Sequence, residues 1–223
     1  HLYLKNAVDT VKDQTYFLWM LTEENLRRTI FPLGGLTKTQ VRQIALEHGH
    51  ETLSKKAESQ DICFIPNNDY RTFLTEQGLQ IGPGDYMYKT GKILGKHCGF
   101  CNYTIGQRKG LGIALGSPKH VLKIDAQTNT VVLGDHDELY TCDVQACDVR
   151  IRDMQWLSDS PQVTARIRYK SPAVSATLEL PVIDNSPSPI AHLHFDQPVW
   201  GVTPGQSLVL YKDGLLVGGG IIQ

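Results

Sequence analysis

Four stretches of this chain hold side chains capable of chemistry. In Glu58-Ser59-Gln60-Asp61-Ile62-Cys63-Phe64, one thiol follows a crowded polar run. Cysteine reacts as the thiolate, and a free thiol has a pKa near ~8.5, so a reactive cysteine needs a local cation. Lys55 and Lys56 are the nearest in sequence. A cysteine between Ile and Phe is otherwise a small core residue, and local chemistry alone favours that reading of Cys63. Lys12-Asp13-Gln14-Thr15-Tyr16-Phe17-Leu18 sets a cation, a carboxylate and an amide at an expected helix start, where backbone N–H groups attract anions such as phosphates. Residue types alone fit a plain cap with a solvated lysine better. Tyr103-Thr104-Ile105-Gly106-Gln107-Arg108-Lys109-Gly110-Leu111-Gly112 places Arg108 and Lys109 between glycines, a loop able to approach a sugar–phosphate backbone. It lacks the Gly-x4-Gly-Lys-Ser/Thr order of a nucleotide-binding P-loop. His97-Cys98-Gly99-Phe100-Cys101 is half a zinc site, a redox pair or an incidental loop, and the last is the preferred reading, so no metal site is expected.

The elements that position these residues change in texture along the chain. Asp13 is expected to cap a helix burying Phe17, Met20 and Leu21; Thr22 caps a second, into Glu23–Arg28. Thr37 with Gln40 forms a capping box for a helix burying Val41, Ile44 and Ala45 and stopping at Gly49. Asp61 to Pro66 reads as a short strand feeding a loop, and Asn68 as the cap of one more helix through Leu74. Beyond residue 80, glycines punctuate short runs. Val121–Asp125 and Thr130–Leu133 flank an expected hairpin turn. From Tyr140 onward the chain reads as strands at Asp143–Ile151, Gln162–Tyr169, Ala173–Leu180, Ser207–Tyr211 and Leu215–Ile222, with an Asp213-Gly214 turn and a loop at Asn185–Pro189. Such spacing suggests a small antiparallel barrel that closes its own edges. The fold class is therefore α+β in three parts: 1–66 helical, 67–138 a small Gly-rich β unit, and 139–223 the barrel.

With 223 residues, 41% apolar and 20% charged, the composition is that of a globular protein with no run long enough to span a membrane. Formal net charge is −1, so RNA contact must come from local clusters rather than from overall charge. Five irregularly spaced cysteines and no export signal suggest reduced thiols and a cytoplasmic location.

Taken together, these stretches resemble the bacterial tRNA-specific 2-thiouridylase family. The resemblance rests on Lys12 to Leu18, Phe31-Pro32-Leu33-Gly34, Leu36-Thr37-Lys38, Ser59 to Ile65, Gly95 to His97, Tyr103 to Gly112 and Arg168-Tyr169. It implies a carboxy-terminal portion: the end of an ATP-pyrophosphatase-type α/β domain, a central domain and a tRNA-facing barrel. It also implies placement of sulfur on C2 of the wobble uridine of tRNA. ATP, with magnesium, adenylates the uridine oxygen at a Ser-Gly-Gly-x-Asp-Ser-type loop; a cysteine persulfide then delivers sulfur, and a second cysteine assists its release. Cys63 matches the persulfide position, loaded by a persulfide-carrier protein. Lys12, Asp13 and Gln14, and Arg168, Tyr169 and Gln206 in the barrel, match tRNA contacts; Arg108 and Lys109 join them. The ATP loop and the second cysteine are expected upstream of His1. Cys98 and Cys101 match no family role, and Thr15 stands where Ser is commoner.

Overall fold

A computed structural model describes residues 2–56, 65, 69–79, 82–158, 160–180 and 190–223. Cys63, the strand expected at Asp61–Pro66, the Asn68 cap and the Asn185–Pro189 loop lie outside the described residues, apart from Ile65. The chain forms two compact units: residues 1–57 with 141–223, and residues 58–140. The amino-terminal segment thus shares a unit with the barrel.

Among the described residues the helices are short: α1 (Glu23–Arg27), α2 (Lys38–Glu47), α3 (Glu51–Lys55), α4 (Tyr70–Glu76) and α5 (Gln155–Ser158). None is long and apolar enough to cross a membrane. Thr22 caps α1 and Thr37 caps α2, each in a reciprocal capping box, the latter with Gln40 as expected. Gly49 follows α2 at φ 78°. Asp69 caps α4.

Two expectations need correction. No helix follows Asp13; only a 3-10 turn at Thr15–Phe17 forms. The Asp13 carboxylate accepts from the Thr15 N–H at 2.8 Å, closing a tight local turn instead. Tyr16 and Trp19 face inward, while Phe17 and Met20 are exposed. The α2 residues Val41, Ile44 and Ala45 are not buried, because α2 packs mainly against α3 among the described elements.

The central unit holds a four-stranded sheet in the order β2-β1-β4-β3, from β1 (Gly84–Tyr88), β2 (Ile93–His97), β3 (His120–Asp125) and β4 (Thr130–Gly134). The expected hairpin is the β3–β4 pair. Its core gathers Tyr86, Leu111, Val121, Val131 and Leu133.

The barrel is closed, in the order β10-β5-β8-β7-β6-β9. Its strands are β5 (Tyr140–Ile151), β6 (Gln162–Arg166), β7 (Val174–Glu179), β8 (Ala191–Trp200), β9 (Ser207–Lys212) and β10 (Leu215–Ile222). Closure pairs every strand on both sides, which removes free edges. Asp213 and Gly214 both take positive φ in the expected β9–β10 turn. β8 was not expected, although Ala191, Leu193 and Phe195 alternate inward.

A second apolar layer lies on the outside of β9 and β10, where Leu4, Tyr16, Trp19 and Leu26 pack on Val209, Tyr211 and Leu216. The chain start extends this contact: Lys5 bridges Leu215, and the Leu216 N–H donates to the Leu4 carbonyl at 2.8 Å. Gly219 makes the layer possible, since a Cβ there would meet the Trp19 ring at 2.7 Å.

Candidate nucleic-acid interface

The amino-terminal segment is fixed before any polar group is presented. Asp9 accepts backbone N–H bonds from Val11 (3.1 Å), Lys12 (3.2 Å) and Lys38 (2.8 Å), tying the Lys12 turn to the start of α2. These donors, Lys38 foremost, hold the Asp9 carboxyl below its usual range. Asp13 is buried and spends its carboxylate on the turn. Gln14 is exposed, and its side-chain amide donates to the Tyr169 hydroxyl at 2.5 Å. The Phe17 ring lies 4.7 Å from that of Tyr169 and edge-on to Tyr16 at 5.4 Å. Beneath them the Tyr16 hydroxyl donates to the Ser207 carbonyl at 2.8 Å, and burial pushes its pKa up to about 12. Trp19 donates its indole N–H to the Ser207 hydroxyl at 3.0 Å.

The barrel supplies the other half. The Arg168 guanidinium donates to the Gly201 carbonyl at 2.5 Å and the Thr203 hydroxyl at 2.6 Å, and lies over the Trp200 ring. Gly201 sits at φ 72°, where a Cβ would come within 3.2 Å of that guanidinium. The Gln206 N–H donates to the Thr203 carbonyl at 3.2 Å, and its carbonyl accepts from Ile222 at 2.9 Å, leaving an exposed side chain. Contacts therefore run from Lys12 and Gln14 through Tyr169 and Arg168 to Gln206. Asp13 belongs to the frame beneath them. Sequence reasoning missed Phe17, assigned to a buried helix face; the aromatic pair Tyr16-Phe17, just beyond Thr15 and close behind the polar triad, was the available signal. Exposed amide and ring faces beside a lysine are the groups with which proteins stack bases and hold phosphates.

Arg108 and Lys109 lie in the other unit, both exposed. Their loop is pinned by backbone bonds from Gly106 to Val121 (2.8 Å) and from Val121 to Gln107 (3.0 Å). The Gln107 amide donates to the Lys109 carbonyl at 2.9 Å, and Gly106, Gly110 and Gly112 take positive φ. Arg108 and Lys119 line a cavity of about 500 Å3 together with Leu111, Ile113, Leu115 and Ser117. Lys119 is paired with Asp135 at 2.6 Å. Cys98 and Cys101 are free thiols, and no trio of His, Cys, Asp or Glu able to hold a metal occurs among the described residues.

Three family models match the chain in order. One described as a tRNA methyl transferase HUP domain covers residues 1–67. A tRNA methyl transferase PRC-barrel domain covers 71–135. An aminomethyltransferase beta-barrel domain covers 146–222. Among curated relatives, the tRNA-specific 2-thiouridylase MnmA of Acetivibrio thermocellus is 45% identical across 99% of this chain and 60% of its own length. That of Halothermothrix orenii is 46% identical with the same coverage, as is that of Herpetosiphon aurantiacus. The chain thus spans about 60% of the length of these relatives. The model descriptions mention methyl transfer and the relatives' names thiolation; the relatives align along almost the whole chain, so their name is the more specific guide. With three consecutive domain matches and these alignments, the chain belongs to the tRNA-specific 2-thiouridylase family.

Proposed function

We propose that this chain provides the sulfur-carrying thiol and much of the tRNA-facing surface of an enzyme that thiolates C2 of the wobble uridine. The observation that carries this reading is the convergence of Lys12, Gln14, Tyr169, Arg168 and Gln206, from both ends of the sequence, on one unit. In this reading Cys63 carries a persulfide received from a donor protein in the cytoplasm. A persulfide is more acidic than a thiol, so it is anionic near neutral pH and a good nucleophile. Dividing activation of the uridine oxygen from attack by sulfur is covalent catalysis. Lys12 and Gln14 hold the RNA backbone, the Phe17 and Tyr169 rings offer a stacking surface, and Arg168 keeps the Gly201–Gln206 loop in shape. Arg108 and Lys109 add phosphate contacts from the central unit.

ATP and magnesium activate the uridine oxygen in this scheme. The 223 residues contain no Ser-Gly-Gly-x-Asp-Ser run, so in this reading no residue of the chain is assigned to holding ATP or its metal. The chain by itself is accordingly assigned no thiolation activity.

The test is a Cys63→Ser substitution in the full-length enzyme, with 2-thiouridine in tRNA measured by mass spectrometry and tRNA binding measured in parallel. Thiolation is expected to vanish while binding remains within about twofold, the ordinary scale of a substitution that removes no packing or pairing. Thiolation that persists in the variant refutes the role of Cys63 and favours a non-catalytic RNA-binding module. Thiolation by this chain alone refutes its inactivity.

A further inference from the structure

The central unit holds a thiol pair to which the proposed thiolation gives no work. Cys98 is exposed and Cys101 partly so, three residues apart. Both line one cavity of about 490 Å3 together with Arg71, Thr75 and Asn102.

The turn that carries the thiols is held from several sides. The Gly99 N–H donates to His97 Nδ1 at 3.0 Å, and the Phe100 N–H donates to Asn129 Oδ1 at 3.2 Å. The Asn102 amide donates to the Cys98 carbonyl at 3.1 Å and the Gly99 carbonyl at 3.2 Å. Asn129 is itself anchored to the Gly82 and Pro83 carbonyls. Gly99, at φ 116°, lets the chain reverse between the cysteines before the 3-10 turn at Phe100–Asn102. His97 accepts at Nδ1 and is buried, so it fixes the turn and stays neutral. Arg71 lines the same cavity as the two thiols. Its charged form is favoured chiefly by Tyr70, with Cys98 a smaller contributor. A zinc reading finds no third ligand among the described residues.

We propose that Cys98 and Cys101 form a redox-active dithiol that exchanges with small disulfides such as oxidised glutathione, Cys98 attacking and Cys101 resolving. The Cys98 thiolate attacks one sulfur of the small disulfide; an S–S bond forms to Cys98 and one thiolate leaves. The Cys101 thiolate then attacks the Cys98 sulfur and expels the second thiolate. Two electrons pass from the protein dithiol to the small disulfide, and the two thiol protons end on the two small thiols. Accessibility sets the roles: Cys98 is the open sulfur, and Cys101 is the more covered one, beside it in the same cavity.

The experiment uses the whole chain with Cys63→Ser, so that this pair is read without the thiol at 63. The reduced protein is placed in glutathione buffers from reducing to oxidising, quenched with acid, alkylated and mapped after chymotryptic cleavage at Phe100. A link between the two cysteines keeps the cleaved halves together. The Cys98–Cys101 link is expected to accumulate as oxidised glutathione rises, while Cys142 and Cys147 stay alkylatable. Formation is expected to be several-fold slower in urea and in Arg71→Gln at neutral pH. A lasting glutathione adduct on Cys98 without the link overturns the proposal. So does linkage to Cys142 or Cys147, or a rate unchanged by both urea and Arg71→Gln.

Discussion

The barrel unit and the central unit both present candidate RNA-binding cations, but they hold them differently. In the barrel unit Arg168 is half-buried, spends its guanidinium on Gly201 and Thr203, and neighbours Tyr169, which is bonded to Gln14. In the central unit Arg108 and Lys109 stand exposed on a glycine-shaped loop. The first arrangement fixes a shape and gives its charge a structural task. The second fixes only a backbone path and leaves charge at the surface. A surface of the first kind discriminates by fit, whereas the second contributes through phosphates and salt.

Stability should show the contrast most strongly. Trp19 is buried against β9 and β10 and bonded to Ser207. Trp19→Ala is expected to cost the barrel unit about 3–5 kcal/mol, the usual range for a buried large aromatic. All three tryptophans lie in that unit, so the fluorescence of Trp156 and Trp200 reports its urea transition. Amide exchange in β3 and β4 reports the other unit and should be unchanged. Equal losses in both would mean that the two behave as one cooperative body.

Much of this architecture is legible in the sequence, and the gaps have physical causes. The cap at Thr22 and the capping box at Thr37 are local, and both form. The β9–β10 turn is equally local, because Asp213-Gly214 accepts the positive φ that a tight hairpin needs. The Asp13 segment misleads because a 3.6-residue pattern at Phe17, Met20 and Leu21 coexists with Tyr16 and Trp19, and the outer face of the barrel decides between them. β8 alternates plainly at Ala191, Leu193 and Phe195, but His192, His194 and Pro198 mask it as loop. For the interface, the motif at Lys12–Gln14 is readable, but its bond to Tyr169, 155 residues away, is tertiary information. Nothing local marks Asp13 as buried or Arg168 as a brace.

Binding should separate the two cation sets next. Arg168→Lys removes the guanidinium Nη2 that bonds the Gly201 carbonyl and the Thr203 hydroxyl at once, and is expected to cost the barrel about 1.5–3 kcal/mol, the range for bonds to a charged group. tRNA affinity should fall with it, while the slope of affinity against salt stays nearly constant. Arg108→Gln with Lys109→Gln should leave the stability of both units within about 0.5 kcal/mol and lower the salt slope by about one per cation. Filter binding of tRNA at several salt concentrations reads both. An Arg168→Lys variant with a reduced slope and an unchanged barrel would remove the distinction between brace and phosphate contact.

The smallest effect concerns pH, and the two units should respond with opposite signs. In the central unit burial lowers the pKa of His97; burial, with help from His136 and Arg108, lowers that of His120. Below about pH 6.5, the ordinary histidine value, the unfolded chain takes up protons that these folded rings resist. The stability they contribute is therefore full above that pH and declines as pH falls through it. In the barrel unit His194 lies 2.7 Å from Asp143, which raises its pKa. Its contribution is full below the ordinary histidine value and is lost as pH rises through the elevated one. This pair is exposed, so its effect is modest and salt-sensitive. Lowering pH from about 7.5 to 5.5 stays above the lowered carboxyls of Asp125, Asp135 and Glu138, which leaves the histidines to dominate. Amide exchange corrected for its intrinsic pH dependence should show protection falling in β3 and β4 and holding or rising slightly in β5 and β8. His194→Gln should abolish the barrel response and leave the central one intact. Loss of protection in both units over this range would break the comparison, because it would require a buried neutral group in the barrel that overrides His194.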